Sequence, residues 1–152
     1  MAKATQSKLT RRELAAWRGL LRTHARVLAE LDAELEAAHG LAVPEYEVLL
    51  VLNENGDNHL RMSELADAAL LTRSGMTRLV DRLEREGLVR RERCAADGRG
   101  TYAVITPEGA ARVAEARPTH IAGVRRLFLA PLKKKDQRAL ADAFDLLGGD
   151  PA

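Results

Sequence analysis

Cys94 is the only cysteine in 152 residues, so no disulfide can form within the chain. A reducing cytosol suits that usage. No apolar run approaches the roughly 18 residues that a membrane-spanning helix needs. The first eight residues, Met1 to Lys8, are polar and lack the apolar centre of a signal peptide. The expected location is therefore cytoplasmic, with no membrane contact. Aromatic residues make up only 3%, so the core must be built from Leu, Val and Ala. With 46% hydrophobic residues such a core needs no metal or disulfide to hold it. A dominant charge is also absent. The net charge is +2 with 30% charged residues, so any nucleic-acid footprint must be local. His24, His39, His59 and His120 are scattered without a pair at metal spacing, and no metal or other cofactor is expected. There is no Gly-rich phosphate loop and no serine or cysteine motif with a placed histidine, which argues against an enzyme.

What the chain does have is helical periodicity. Thr10-Arg11-Arg12-Glu13 has capping-box spacing, which starts a first helix near Thr10. Leu14, Trp17, Leu21, His24, Leu28, Leu31 and Leu35 then alternate by three and four, a heptad seam interrupted only by the histidine. This helix runs to about Ala38 and ends at Gly40. A seam of that length must be buried, and a partner chain is a natural candidate. Pro44 suits the first turn of a second helix whose Tyr46, Val48, Leu49, Leu50, Val51 and Leu52 are apolar nearly all round. A polar loop, Asn53 to Asn58, ends it. Ser63 is expected to cap a short third helix to about Ala69, and Thr72 the next one.

That fourth helix carries Met76, Leu79, Val80 and Leu83 on one stripe. Ser74, Thr77, Arg78, Asp81, Arg82 and Arg85 lie opposite, and Gly87 stops it. Leu88 to Cys94 and Thr101 to Ile105 read as a hairpin, its turn made possible by Gly98 and Gly100. Thr106-Pro107-Glu108 starts another helix, which runs to about Leu129 and should bend or split at Pro118. A last helix covers about Lys134 to Leu147.

The order of bracing helix, amphipathic helix, glycine stop and hairpin is that of a winged helix-turn-helix. Small polar residues near the start of the fourth helix, Ser74 and Thr77, allow close approach to a major groove. Arg73, Arg78 and Arg82 supply long donors. Arg99 at the hairpin tip suits a narrow minor groove, and Asp97 is expected to support it. Seven arginines face four acids between Arg73 and Arg93, so the segment is locally basic within a nearly neutral whole. The alternative reading is a winged-helix protein-interaction module without DNA binding.

The stretch from Leu60 to Gly109 resembles the MarR family of bacterial transcriptional regulators. The resemblance rests on Ser63-Glu64-Leu65-Ala66, on Met76 through Glu84, and on Gly87-Leu88-Val89-Arg90-Arg91. Asp97-Gly98-Arg99 and Ile105-Thr106-Pro107-Glu108-Gly109 then follow, in the order and spacing of the family's D-x-R wing and L-T-x-x-G motif. Ile105 stands where the family usually has Leu.

The resemblance implies a fold that is mainly α with a small β-hairpin wing, a winged helix-turn-helix plus a helical dimerisation region. The implied divisions are residues 1–39 (N-terminal dimerisation helix), 40–110 (DNA-binding domain) and 111–152 (C-terminal dimerisation helices). It implies a homodimer, most often a repressor, on a pseudo-palindromic double-stranded DNA operator with half-sites about 10 bp apart. Leu14, Leu21, Leu28, Leu127, Phe128, Leu140, Phe144 and Leu147 are then expected at the dimer interface.

Many such regulators release DNA when a small aromatic or anionic effector binds. Trp17 with Arg22 and His24 would be a pocket for one, against the plainer reading of Trp17 as core and His24 as an interface residue. Ala110 stands where a urate-responsive relative would carry an arginine. The peroxide-sensing branch has its cysteine near the first helix. This chain has none there, and Cys94 reads as an ordinary strand residue.

Overall fold

The computed structural model describes residues 8–69, 73–93 and 100–148. Ten segments follow in order: α1 (Arg11–His39), α2 (Val43–Glu54), β1 (His59–Arg61), α3 (Met62–Ala68), α4 (Arg73–Arg85), β2 (Val89–Arg93), β3 (Thr101–Ile105), α5 (Pro107–Val124), a π turn (Arg125–Leu129) and α6 (Lys134–Leu146). Cys94, Asp97, Gly98 and Arg99 lie outside the described residues, as do Leu70, Leu71, Thr72 and the side chain of Arg73. The fold is mainly α with a small antiparallel sheet, a winged helix-turn-helix joined to long helices.

The capping box of α1 forms as its spacing predicts. The Thr10 N–H donates to Glu13 Oε2 at 2.7 Å and the Glu13 N–H to Thr10 Oγ1 at 3.2 Å. α2 opens on a carboxylate instead, with the Ala42 N–H donating to Glu45 Oε2 at 2.9 Å. α3 starts two residues earlier than expected and is not capped by Ser63. The chain leaves β1 at Arg61, and the Arg61 N–H donates to Glu64 Oε2 at 3.0 Å, so strand and helix share a boundary.

β1 itself is an addition to the expected hairpin. It pairs antiparallel with β3, Leu60 opposite Ala103 and Arg61 opposite Tyr102, giving the order β1-β3-β2. On the other side β3 pairs with β2, from Val89 opposite Ile105 to Arg93 opposite Thr101. Three residues are too few to show the alternation by which a strand is recognised in sequence.

α5 neither splits nor ends at Pro118, which stands exposed within the continuous helix. The helix widens instead at the π turn, where the Ala130 N–H donates to Arg125 O at 2.7 Å. One cluster of buried side chains runs through the molecule. It joins Leu31 and Leu35 of α1 to Tyr46, Leu49 and Leu52 of α2, Leu65 of α3, Met76, Val80 and Leu83 of α4, the strands, and Val113, Ala116 and Leu127. Among the described residues no helix is long and apolar enough to cross a membrane. No group of three or more His, Cys, Asp or Glu among them could hold a metal ion.

Candidate nucleic-acid interface

α4 has a polar face because its apolar residues recur at helical spacing. Met76, Val80 and Leu83 are fully buried and Leu79 is partly so. At about 100° per residue, the line opposite them runs through Ser74, Arg78, Asp81 and Arg85. All four are exposed, and neither Arg78 nor Arg85 makes an ion pair among the described residues. Thr77 is exposed on one flank of this line and Arg82 on the other. The outward face is therefore narrower than the sequence pattern implies, and it includes Arg85.

Each flank is tied down. On the α2 side Arg82 Nε lies 2.9 Å from Glu45 Oε1 and 3.6 Å from Glu86 Oε1. Glu45 is only 3% exposed. On the sheet side Arg91 of β2 reaches back across α4. Its guanidinium pairs with Asp81 Oδ1 at 2.7 Å and Glu84 Oε1 at 3.1 Å, and donates to Thr77 O at 3.3 Å. The Arg91 backbone N–H donates to Glu84 Oε2 at 2.8 Å. Helix and hairpin stem are thus joined by one side chain. Sequence reasoning overlooked Arg91 and Glu45, because neither lies on the periodic face that drew attention to Arg78. Arg82, expected among the groove-facing donors, is half-exposed with its Nε engaged by a buried acid.

The hairpin's stem is anchored where α5 begins. The Thr106 hydroxyl donates to Gly87 O at 2.7 Å and accepts from the Gly109 N–H at 3.1 Å. Gly87, at φ 74°, ends α4 in the left-handed region that glycine adopts without strain. This places the stem of the wing against the end of the reading helix.

A second surface lies at the other end of the molecule. A cavity of about 690 Å³ opens between α1 on one side and the π turn and α6 on the other. Ala15, Ala16, Trp17, Gly19, Leu20, Thr23 and Arg26 form one wall. Leu127, Phe128, Pro131, Leu132, Leu140, Phe144 and Leu147 form the other. Five of the eight residues expected at a dimer interface thus meet in one apolar groove, with Leu127 buried at its base. Leu14 is half-buried, and Leu21 and Leu28 are exposed on a different face of α1.

Trp17, Arg22 and His24 do not converge. Trp17, 53% exposed, borders the groove, whereas Arg22 and His24 are exposed and are not among its lining residues. Five helix positions place Arg22 well over a third of a turn from Trp17, and it is Arg26 that brings a cation to the wall.

The comparisons with known proteins agree with this geometry. A family model described as MarR family matches residues 39–100. The transcriptional repressor YetL of Bacillus subtilis is 31% identical over 114 residues, 73% of this chain and 68% of that protein. Three other curated regulators match over between half and two thirds of their own length. Among solved structures, AbsC, a MarR family transcriptional regulator from Streptomyces coelicolor, is 34% identical. It overlaps 94% of this chain and 96% of its own, with a TM-score of 0.88.

The chain belongs to the MarR family.

Another MarR family regulator from the same organism, Sco3205, is 33% identical over 93% of this chain and 92% of its own. It has the same TM-score of 0.88, and its structure is that of a complex with DNA. As a MarR family member the chain is a DNA-binding transcriptional regulator and not an enzyme. The structural likeness extends beyond the motif-bearing stretch 60–109 to the flanking helices.

Proposed function

We propose that this regulator acts as a homodimer that presents two copies of α4 to successive major grooves of a pseudo-palindromic operator and represses by occupying it. In this reading residues 40–110 bind DNA, while residues 1–39 and 111–152 hold the two copies together. Ser74, Arg78 and Arg85 approach base edges and phosphates. The apolar groove between α1 and α6 carries the dimer half of the proposal. It is lined almost wholly by carbon, and Leu147 beside it is 77% exposed. An apolar groove left open beside exposed leucines fits an interface. A second copy supplies the same helices in return, as a two-fold interface requires. The two reading helices then sit about one helical turn of DNA apart.

A small aromatic or anionic effector would not be held by Trp17, Arg22 and His24 together, since only Trp17 lines the groove. Such a compound acts only by binding the DNA-incompetent arrangement more tightly than the competent one.

The test is light scattering of the purified protein together with duplex binding across a salt series. A dimer mass and an affinity that falls steeply with salt are expected. A monomer at micromolar concentration, or an affinity indifferent to salt, overturns the proposal.

A further inference from the structure

We infer that Glu45 and Arg82 form an internal tie that sets the angle of the reading helix, with Glu45 as the positioning residue and Arg82 a strut instead of a ligand of base or phosphate. This rests on the proposal that α4 enters the groove.

Glu45 is the only charged or polar residue that the described core buries. A buried carboxylate is costly unless both its oxygens are partnered. Here Oε2 accepts from the Ala42 N–H at 2.9 Å, and Oε1 lies 2.9 Å from Arg82 Nε. The first of these bonds fixes the carboxylate to the opening turn of its own helix. That turn is fixed in turn to α1, because the Val43 N–H donates to Asp32 Oδ1 at 2.7 Å. Arg82 therefore hangs from a rigid point, and α4 is held to α2 from the flank opposite Arg91.

Were the Arg82 side chain to swing out to DNA, Glu45 would be left charged, buried and without its cation. Burial already pushes this carboxyl above its ordinary value. The Ala42 bond and Arg82 oppose the rise, while Glu86 beside Arg82 and Glu36 of α1 add to it. The charged form is thus held by the Ala42 bond and by Arg82. The guanidinium, for its part, lies between two carboxylates, Glu45 and Glu86, and offers little net charge to a phosphate.

The experiment uses the full-length protein and two probes: the duplex that the wild type recovers from a randomised pool, and a scrambled duplex of equal length. Arg82→Gln, Glu45→Gln and the double variant are compared across a salt series. Glu45→Gln keeps the side chain's size and its acceptor for Ala42 but loses the anion facing Arg82.

Each single variant is expected to lose roughly tenfold on the selected duplex and nothing on the scrambled one, with the double no weaker than the weaker single. The slope of log affinity against log salt should stay that of the wild type. A simple loss of stability would change neither the ratio of the two affinities nor their salt dependence once folded protein is counted. The tie is overturned if Arg82→Gln weakens both duplexes alike and lowers the salt slope by about one, the signature of a phosphate contact. It is also overturned if both variants bind as the wild type, or if their losses add in the double. Should Glu45→Gln not fold, Glu45→Asp takes its place: it draws the anion back from Arg82 and leaves Arg82 itself intact, so a loss on the selected duplex alone supports the tie and wild-type binding overturns it. A pool from which the wild type recovers no site overturns the groove-reading proposal and the tie with it, whereas wild-type behaviour of the variants overturns the tie alone.

Discussion

At Arg78 the chain offers a donor that nothing else in the described structure holds, on the line of α4 farthest from the core. Arg78→Ala should cost about 1–3 kcal/mol on the best site and relax the preference at one base position, as read by competition between duplexes differing at single bases. An equal loss on every sequence would make it a phosphate contact instead.

His120 is the opposite case, a titratable ring drawn inward. It stacks on Tyr46 of α2 with ring centroids 4.5 Å apart, and its Nε2 lies 3.8 Å from Glu47. Burial pulls its pKa below the ordinary value, and Glu47 resists the fall. Arg117, on the same helix, is itself paired with Glu54. A histidine whose folded pKa is lowered stabilises the fold above its unfolded value. That stability is lost as pH falls from about 6.5 through the lowered pKa. His120→Phe keeps a ring against Tyr46 and removes the titration. Thermal unfolding midpoints of this variant should decline less than those of the wild type on the acid side of that window, and parallel declines would disprove the assignment.

Among the elements, the junction of hairpin and α5 shows how a motif becomes a joint. Thr106 caps the helix and grips Gly87, as described above. Gly109 is needed for a different reason. A Cβ there would lie 2.1 Å from the Leu88 carbonyl oxygen and 2.9 Å from Ile105 Cγ1. Backbone cannot give way as a flexible side chain can, so α5 would have to lift off the hairpin stem. Gly109→Ala should therefore destabilise the fold by about 1–3 kcal/mol, measured by denaturant unfolding. Unchanged stability would mean that the joint is looser than drawn.

The same spacing arguments explain what the pattern of α1 leaves open. Its seven-residue seam is a single stripe in sequence, but Leu31 and Leu35 are spent in this chain's own core, while Trp17, Leu21 and Leu28 remain exposed. The groove lies on the neighbouring face, through Ala15, Ala16, Gly19, Leu20 and Thr23. Periodicity reports that a face is apolar. It does not report which neighbour covers it, and small residues such as Ala and Gly carry little weight in such a pattern.

For the whole molecule, the proposed dimer turns on the apolar groove. Phe144 lines the groove and is half-exposed, so one copy does not need it to fold. In the proposed dimer, Phe144→Glu would bury a charge between two copies. The molar mass in solution should halve, and binding to a two-half-site duplex should weaken about a hundredfold or more as the benefit of simultaneous contact is lost. A variant that remains dimeric would remove the groove from the interface.

Much of this was legible from residue order alone. Met76, Val80 and Leu83 on one stripe fixed which face of α4 turns inward. The run from Thr101 to Ile105 fixed the central strand, and Thr106 with Pro107 fixed the start of α5. These are local matters, decided by helical and strand repeat and by the chemistry of caps. The pairing of Arg82 with Glu45, of Arg91 with Asp81 and Glu84, and of β1 with β3 was decided only by the tertiary structure. Each joins residues from different elements, and a charge reveals its partner only when folding brings the two within reach.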